Sequence, residues 1–264
     1  MKHSVILFPL FLSISFGCSH ATRKGKWGKD AFRFKQNLGR ILIRNAQDPH
    51  VWAPLIGAGV LAFSKQDQKI SSWAAKETPL LSSNLTAKEE SDEDVKFLET
   101  ASYATAFLTT SWDDGAVDYA WSKTKGLVVM RLGQMASNKT TMSLKGQFRR
   151  QRPNEGSLTS MPSGHSAQAS SSFLLIRRNL AHSDLNPYAE KTILFLSGGV
   201  TAATMWSRIE GQAHFPSDTL VGYSLGQFIT GVVFDSLMSL DANESFGLYP
   251  SPRGDLTALY SIRF

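Results

Sequence analysis

The sequence predicts an all-α helical bundle that ends in a short β-hairpin. Three observations support this fold class. Segments with helical character dominate between residues 49 and 240, and several of them begin at a capping residue or a proline. A turn flanked by two β-like runs is found at the C-terminal end. With 264 residues and 42% hydrophobic content, the chain can bury one sizeable core.

The first predicted helices lie between residues 50 and 110. The stretch HVWAPLIGAGVLAFS (50–64) predicts a short apolar helix that is interrupted near Pro54, and a polar link (76–90) follows it. The stretch SDEDVKFLETASYATAFLTT (91–110) predicts a helix capped by Ser91, with acidic residues in its first turn. The acidic cluster Asp92–Asp94 is therefore interpreted as a helix start and not as a metal site.

The second half of the chain predicts the remaining elements. One or two helices are expected over 113–136, and further helices over 166–180, 187–206 and 216–240. Polar residues interrupt the apolar stretches of the last two helices, and the mean hydropathy of the chain is −0.16. These features favour buried helices of a soluble bundle over membrane spans. The runs FGLYP and LTALYSIRF, separated by SPRGD, predict the terminal hairpin.

The N-terminus has the features of an export signal. Lys2 precedes the apolar run VILFPLFLSISF and then Gly17 and Cys18, which predicts a signal peptide over residues 1–18 and a bacterial periplasmic location. Cys18 is the sole cysteine, so disulfides and thiolate metal sites are excluded. A cysteine at this place resembles a lipobox and predicts a lipidated, membrane-anchored form. Simple cleavage stays open because Ser15 and Phe16 depart from that motif.

A basic linker is predicted over residues 19–48. Between residues 23 and 44 one acidic residue, Asp30, accompanies eight basic ones: Arg23, Lys24, Lys26, Lys29, Arg33, Lys35, Arg40 and Arg44. Nucleic-acid binding, contact with anionic lipid headgroups and a solvated linker are all compatible with this charge. After an export signal, a membrane surface is the expected partner and nucleic acid is not. With a lipid anchor, the segment would supply a second attachment signal.

Three motifs carry the predicted chemistry. In PSGH (162–165), Ser163 is a good N-cap and Gly164 permits close approach of a ligand to the start of a helix, where an anion can bind. Upstream lie Lys145 and Arg152, and downstream lie Arg208, His214 and Asp218. Together with His165 they supply three cations, two histidines and one carboxylate without a metal-binding pattern, an inventory that suits phosphate chemistry without a metal.

The spacings K-x6-RP, PSGH and SR-x5-H-x3-D resemble the signature of the type 2 phosphatidic acid phosphatase family, over residues 145–218. Its superfamily includes bacterial class A acid phosphatases and vanadium-dependent haloperoxidases. The resemblance implies an all-α bundle, here over 49–264, with His214 as nucleophile and Asp218 as its orienting partner. It implies that His165 is the general acid and later the base. The implied phosphate-binding groups are Lys145, Arg152, Ser163, Gly164 and Arg208.

Pro216 affects the geometry of the third motif. Because the residue before a proline avoids helical geometry, we expect a helix to begin at Pro216, with His214 just before it and Asp218 in its first turn. Asp218 could then simply favour the helix dipole. Arg149 and Arg150 have no place in the signature and are expected to be solvated or to attract anions electrostatically. Glu210 is expected in a loop or at the surface.

The predicted function is that of an exported, metal-independent phosphatase that hydrolyses phosphate monoesters or lipid phosphates through a phosphohistidine, without a cofactor. A vanadium-dependent haloperoxidase, with vanadate in the same pocket, is one alternative. A non-catalytic phosphate- or lipid-binding module is another. The sequence leaves the substrate, the membrane and the oligomeric state open.

Overall fold

The structure, a computed structural model, describes residues 27–29, 31–32, 38–77, 80–81, 83–109 and 115–238, and the backbone of two C-terminal strands. This part of the chain is helical up to residue 238, which confirms the predicted all-α class. Its helices are α1 (Leu38–Ala46), α2 (Pro49–Phe63), α3 (Gln66–Glu77), α4 (Asn84–Phe107), α5 (Ala116–Phe148), α6 (Gly164–Leu180), α7 (Pro187–Glu210) and α8 (Pro216–Met238).

Helices α6 and α8 lie at the centre of the bundle. α8 packs against α6, α5 and α2, and α6 also packs against α4 and α7. One buried apolar cluster joins α5, α6 and α8 around Met130, Leu175 and Phe234. A second cluster, around Leu98 and Ile176, joins α4 and α6. Burial of these side chains orders the helices whose ends carry the three motifs.

Two glycines allow α6 and α8 to approach each other closely. A Cβ atom added at Gly226 would lie 2.0 Å from the Ser170 hydroxyl and 2.3 Å from the Ala167 carbonyl. A Cβ at Gly222 would lie 2.3 Å from the carbonyl oxygen of Ser163, the residue that caps α6. Contacts this short leave no room for a side chain, so the N-terminal half of α8 fixes the position of the PSGH motif.

The predicted start of α4 at Ser91 is wrong. The helix begins at Asn84, capped by Ser83, whose hydroxyl accepts a hydrogen bond from the Thr86 amide at 3.1 Å. Ser91 is a buried residue inside the helix, and its hydroxyl donates to the Lys88 carbonyl at 2.7 Å. Both serines precede helix-forming residues, and the polar character of residues 84–90 concealed the first two turns. The acidic cluster that begins at Asp92 is therefore not a helix start.

The other predicted helices are confirmed with small changes of bounds. Pro54 lies inside α2 without interrupting it, since in the second turn of a helix it removes a single backbone hydrogen bond. Residues 116–148 form one helix, α5. The predicted C-terminal hairpin pairs β1 (Glu244–Pro250) with β2 (Leu256–Ile262) antiparallel, with Glu244 opposite Ile262; its turn lies outside the described residues.

The end of the predicted basic linker is part of the bundle. α1 packs against α8, and the Asp235 carboxylate on α8 accepts hydrogen bonds from Arg44 at 2.8 Å and from Asn45 at 3.0 Å. Trp27 is also fully buried in the apolar cluster of α5, α6 and α8. The rest of the domain division stays a prediction, and the signal peptide with Cys18 lies outside the described residues.

In the described part of the chain, one helix is long and apolar enough to cross a membrane. It is α8, with a mean hydropathy of 1.2 over its most apolar window, 44% of which is buried. Its contacts with neighbouring helices on several sides are those of a core helix.

Candidate active site

The three motifs meet at one end of the bundle. The Ser163 amide donates to the Asp218 carbonyl at 3.0 Å, which joins the PSGH motif to the start of α8. The Lys145 ammonium, near the end of α5, donates to the Thr159 carbonyl at 2.7 Å. His214 contacts the carbonyl of Ser160 in the same loop. Residues 145–165 and 208–218 therefore form one site.

His214 is held as a neutral imidazole. It is buried just before α8, as predicted, and its Nδ1 lies 2.5 Å from the Ser160 carbonyl oxygen. A carbonyl only accepts, so Nδ1 carries the proton and Nε2 has the lone pair. Burial holds the pKa of His214 well below its usual value, and the positive charges of Lys145, Arg208 and Arg152 lower it further. Near neutral pH its Nε2 is a nucleophilic nitrogen.

Three cations surround this histidine. Burial, together with repulsion from Arg152 and Arg208, lowers the pKa of Lys145 to about 8, although the negative charge of Asp218 opposes this shift. The Nε groups of Arg152 and Arg208 are buried and lack a hydrogen-bond partner within the described residues. A phosphate would supply the acceptors that these guanidinium groups need.

The PSGH motif places the start of α6 beside these cations. Ser163 is fully buried and caps α6, with its hydroxyl accepting from the Ser166 amide and hydroxyl at 3.4 and 2.9 Å. A Cβ at Gly164 would lie 3.8 Å from the Lys145 side chain. The first amides of α6 thus lie next to the lysine, where an anion is favoured by both.

Asp218 lies in the first turn of α8, as predicted, but it does not contact the ring of His214. Its carboxylate accepts hydrogen bonds from the Ser160 hydroxyl at 2.5 Å, the Phe215 amide at 2.9 Å and Arg150 at 2.6 Å. Because Pro216 starts the helix, Asp218 bends back to the residues before it in the manner of a cap. A direct contact of Asp218 with His214, which the predicted orienting role suggests, is not present: the Ser160 carbonyl accepts from the imidazole, and Asp218 accepts from the Ser160 hydroxyl.

The expectation that Arg150 is solvated is wrong. Its guanidinium donates to Asp218 and, at 2.9 Å, to Asp67 of α3. It also lies 4.2 Å over the ring of Phe215. Asp67 in turn accepts from the Ser217 amide at 2.8 Å. Arg149 is exposed, as expected. Nothing in the sequence distinguishes Arg150 from its neighbour Arg149, because its partner Asp67 lies 83 residues away in the chain.

Helix α4 contributes residues that the motifs do not include. The Ser91 hydroxyl accepts from Arg208 at 2.8 Å. Asp92 lies with its Oδ1 2.6 Å from Nε2 of His165. The interpretation of Asp92 as a helix-start residue is therefore wrong.

Glu210 is a buried residue that holds two segments of the fold together. It is fully buried, contrary to the expectation of a surface residue. Its carboxylate accepts from the amides of Leu80 and Leu81, at 3.1 and 2.8 Å, and from the Trp206 indole at 2.6 Å. These contacts tie the end of α7 to the segment between α3 and α4.

Within the described ranges, no group of three or more His, Cys, Asp or Glu side chains is placed to hold a metal ion. The expectation of metal-free chemistry stays a prediction.

Comparison with known proteins agrees with this geometry. Residues 127–239 match the model of the PAP2 superfamily. This part of the chain is similar to that superfamily, as the motifs predicted. The matched range contains every motif residue from Lys145 to Asp218.

The fold is similar to the crystal structure described as the first transmembrane PAP2 type phosphatidylglycerolphosphate phosphatase from Bacillus subtilis. The TM-score is 0.51 and the identity 23%, over 70% of this chain and 92% of that one. This likeness supports the PAP2 fold. A search of curated proteins found no match.

The network around Arg150 predicts a difference between two neighbouring arginines. Arg150→Ala leaves the buried carboxylates of Asp218 and Asp67 without their cation, and we expect it to lower the free energy of unfolding by about 2–4 kcal/mol. Arg149→Ala removes the same charge from an exposed side chain and is expected to change it by less than about 0.5 kcal/mol. Urea unfolding of both variants measures the difference. Equal losses would contradict the assigned network.

The depressed pKa of Lys145 predicts a pH dependence of anion binding. The ammonium is charged below about pH 8 and neutral above it, so its help in binding is present at pH 7 and lost as the pH rises. We expect Lys145→Met to weaken binding of inorganic phosphate by about 10-fold or more at pH 7. The difference in phosphate affinity between this variant and the parent protein should disappear towards pH 9.5. Calorimetric titration with phosphate measures both affinities. A difference in affinity that does not change with pH would contradict the placement of Lys145.

Proposed function

We propose that this PAP2 protein is a phosphatase that hydrolyses phosphate monoesters or lipid phosphates through a phosphohistidine on His214. The observation that carries the proposal is the buried, neutral imidazole of His214, whose proton is fixed on Nδ1 amid three cations. A neutral Nε2 is what attack on phosphorus requires, and the cations stabilise the charge on the transferred group.

The first step transfers the phosphoryl group to the protein. The lone pair of His214 Nε2 forms a bond to phosphorus while the P–O bond to the leaving group breaks. The imidazole becomes positive as the N–P bond forms, and the Ser160 carbonyl accepts from Nδ1–H and stabilises that charge. Protonated His165 gives its proton to the leaving oxygen, which departs as an alcohol.

The second step releases phosphate. Neutral His165 takes a proton from water, and the resulting hydroxide attacks phosphorus while the N–P bond breaks and its electron pair returns to Nε2. Lys145, Arg152 and Arg208 hold the equatorial oxygens in both steps, helped by the Gly164 amide at the start of α6. Ser163 caps that helix and keeps its amides in place.

We also propose that the protein is exported and works at a membrane surface, held there through Cys18 and the basic N-terminal segment. Helix α2 supports an interfacial location. It exposes a stripe of apolar side chains at helical spacing, and Phe63 at its end is 92% exposed; the stripe comprises Trp52, Leu55, Ile56, Val60 and Phe63. Single exposed apolar residues are ordinary, but a contiguous stripe is typical of an interaction surface. The described fold neighbour is itself named a transmembrane phosphatase.

Substitution of the nucleophile tests the mechanism. We expect His214→Gln to lower kcat by about 10³-fold or more while inorganic phosphate still binds, because the three cations remain. His182→Gln is the matched control. His182 follows the opposite end of α6, roughly 25 Å from His165 by the helix rise, and its loss should leave kcat unchanged.

The assay uses p-nitrophenyl phosphate, phosphatidate and a prenyl pyrophosphate, each with a chelator present. Rapid quenching with labelled substrate should trap an acid-labile phosphoryl group on the parent protein and none on the His214→Gln variant. Unchanged turnover in that variant would refute the phosphohistidine, and loss of turnover on chelation would refute metal-free chemistry.

A further inference from the structure

Asp92 and His165 form a contact that the mechanism above does not use. Oδ1 of Asp92 lies 2.6 Å from Nε2 of His165, although the two residues are 73 positions apart in the chain. Asp92 lies in α4 and His165 at the start of α6. These two helices pack along the second apolar cluster, around Leu98 and Ile176, which fixes their separation.

The contact is not explained as a stabilising ion pair. The side chain of Asp92 is 57% exposed and that of His165 is 30% exposed. Pairs this open to water contribute between zero and about 1 kcal/mol to stability. Glu93, next to Asp92, forms an ordinary surface pair of this kind with Lys96 at 3.0 Å. Asp92 differs because its partner belongs to the phosphate site.

The charges around His165 oppose its protonation. Burial lowers its pKa, and the nearby positive charges of Arg208 on α7 and Lys145 on α5 lower it further. Of the groups that shift the pKa of His165, Asp92 is the one that raises it, through its hydrogen bond and through its charge. A general acid must carry a proton before it can give one away. Asp92 therefore opposes the effect of the same cations that bind phosphate.

The contact also determines which ring nitrogen is available. In the protonated ring both nitrogens are donors. Because Nε2–H points to the Asp92 carboxylate, Nδ1–H is left for the leaving group. A carboxylate that holds one ring nitrogen fixes the orientation and tautomer of the other, as in hydrolases where an aspartate pairs with the catalytic histidine.

We propose that Asp92 is a positioning residue for the phosphatase reaction, which holds the His165 ring through Nε2 so that Nδ1 exchanges the proton with the leaving oxygen and with water. The proposal rests on the proposed function. When Nδ1–H protonates the leaving oxygen, the ring becomes neutral with its remaining hydrogen on Nε2, against the carboxylate. In the second step Nδ1 recovers a proton from the attacking water.

Asp92 also lies close enough to Arg208 to affect its pKa, with a negative charge that favours the guanidinium. The same negative charge must repel a bound phosphate. Removal of the charge is therefore expected to have opposite effects on two steps. Binding of the anion becomes tighter, and proton transfer becomes slower.

The test compares Asp92→Asn with Glu93→Gln, its neighbour on α4, which loses the same charge from a pair outside the site. The substrates are an alkyl phosphate, whose leaving oxygen needs a proton, and p-nitrophenyl phosphate, whose leaving group does not. We expect Asp92→Asn to lower kcat/KM for the alkyl phosphate by about 10–100-fold and for p-nitrophenyl phosphate by less than about 3-fold. Glu93→Gln should match the parent with both.

Two further readouts separate positioning from a structural effect. The acid form of His165 is lost as the pH rises through its pKa, so a lower pKa in Asp92→Asn should move the alkaline limb of kcat/KM to lower pH. Asp92→Glu, which keeps the charge, should restore most of the alkyl phosphate activity. The inhibition constant of inorganic phosphate should fall in Asp92→Asn, whereas a distorted site would raise it.

A measurement independent of turnover distinguishes failure of this inference from failure of the proposed function. In protein labelled on histidine and assigned with His165→Gln, NMR titration should give a lower pKa for His165 in Asp92→Asn than in Glu93→Gln. Equal pKa values, or equal losses with both substrates, would overturn the role of Asp92. If the parent protein lacked phosphatase activity but the titration shifted, the pairing would stand and the proposed reaction would fall.

Discussion

The carboxylate of Asp218 is the constraint on which the site depends. It is fully buried, and a buried carboxylate is tolerated only when donors surround it. Its donors come from three places: the Ser160 hydroxyl before α6, the Phe215 amide before α8, and Arg150 after α5. The backbone carbonyl of the same residue accepts from the Ser163 amide. One residue thus joins all three motif segments.

Through Ser160 this constraint reaches His214, the proposed nucleophile. The hydroxyl of Ser160 is held by Asp218 while its carbonyl accepts from Nδ1 of His214. The tautomer of the imidazole therefore depends on the position of a loop and not on direct contact with a carboxylate. Arg150 completes the arrangement because it bridges Asp218 to Asp67 of α3 and covers the ring of Phe215. The groups that hold these segments of the fold together therefore also position the imidazole of His214.

The cations that we propose to bind phosphate also create an electrostatic cost. Lys145, Arg152 and Arg208 act on one another and all three lower the pKa of His214, while Lys145 and Arg208 also lower that of His165. Like charges held this close oppose folding, and burial of Lys145 adds to the cost. An anion relieves both effects. Under the proposed function, the site is destabilised in its free form and a phosphate-ester substrate would complement it, which is the usual conflict between stability and function.

The sequence predicted the parts of this arrangement that depend on local spacing. The helix start at Pro216 and the cap at Ser163 follow from short-range geometry, and the structure agrees. The grouping of the motif residues was implied by the family resemblance, and the structure brings these residues to one end of the bundle. The contributions of Asp67, Asp92 and Arg150 could not be predicted, since they depend on how α3 and α4 pack against distant helices. Asp218 shows both cases: its place in the first turn was predictable, whereas its hydrogen-bond partners were set by a loop 58 residues away.

The most direct test of the central claim is a crystal structure of the protein with tungstate, an oxyanion that substitutes for phosphate. We expect one tungstate with an oxygen within about 3 Å of donors from Lys145, Arg152 and Arg208, the metal atom facing Nε2 of His214, and Nδ1 still on the Ser160 carbonyl. A tungstate bound elsewhere, or a His214 ring with Nε2 turned away from the three cations, would contradict the account.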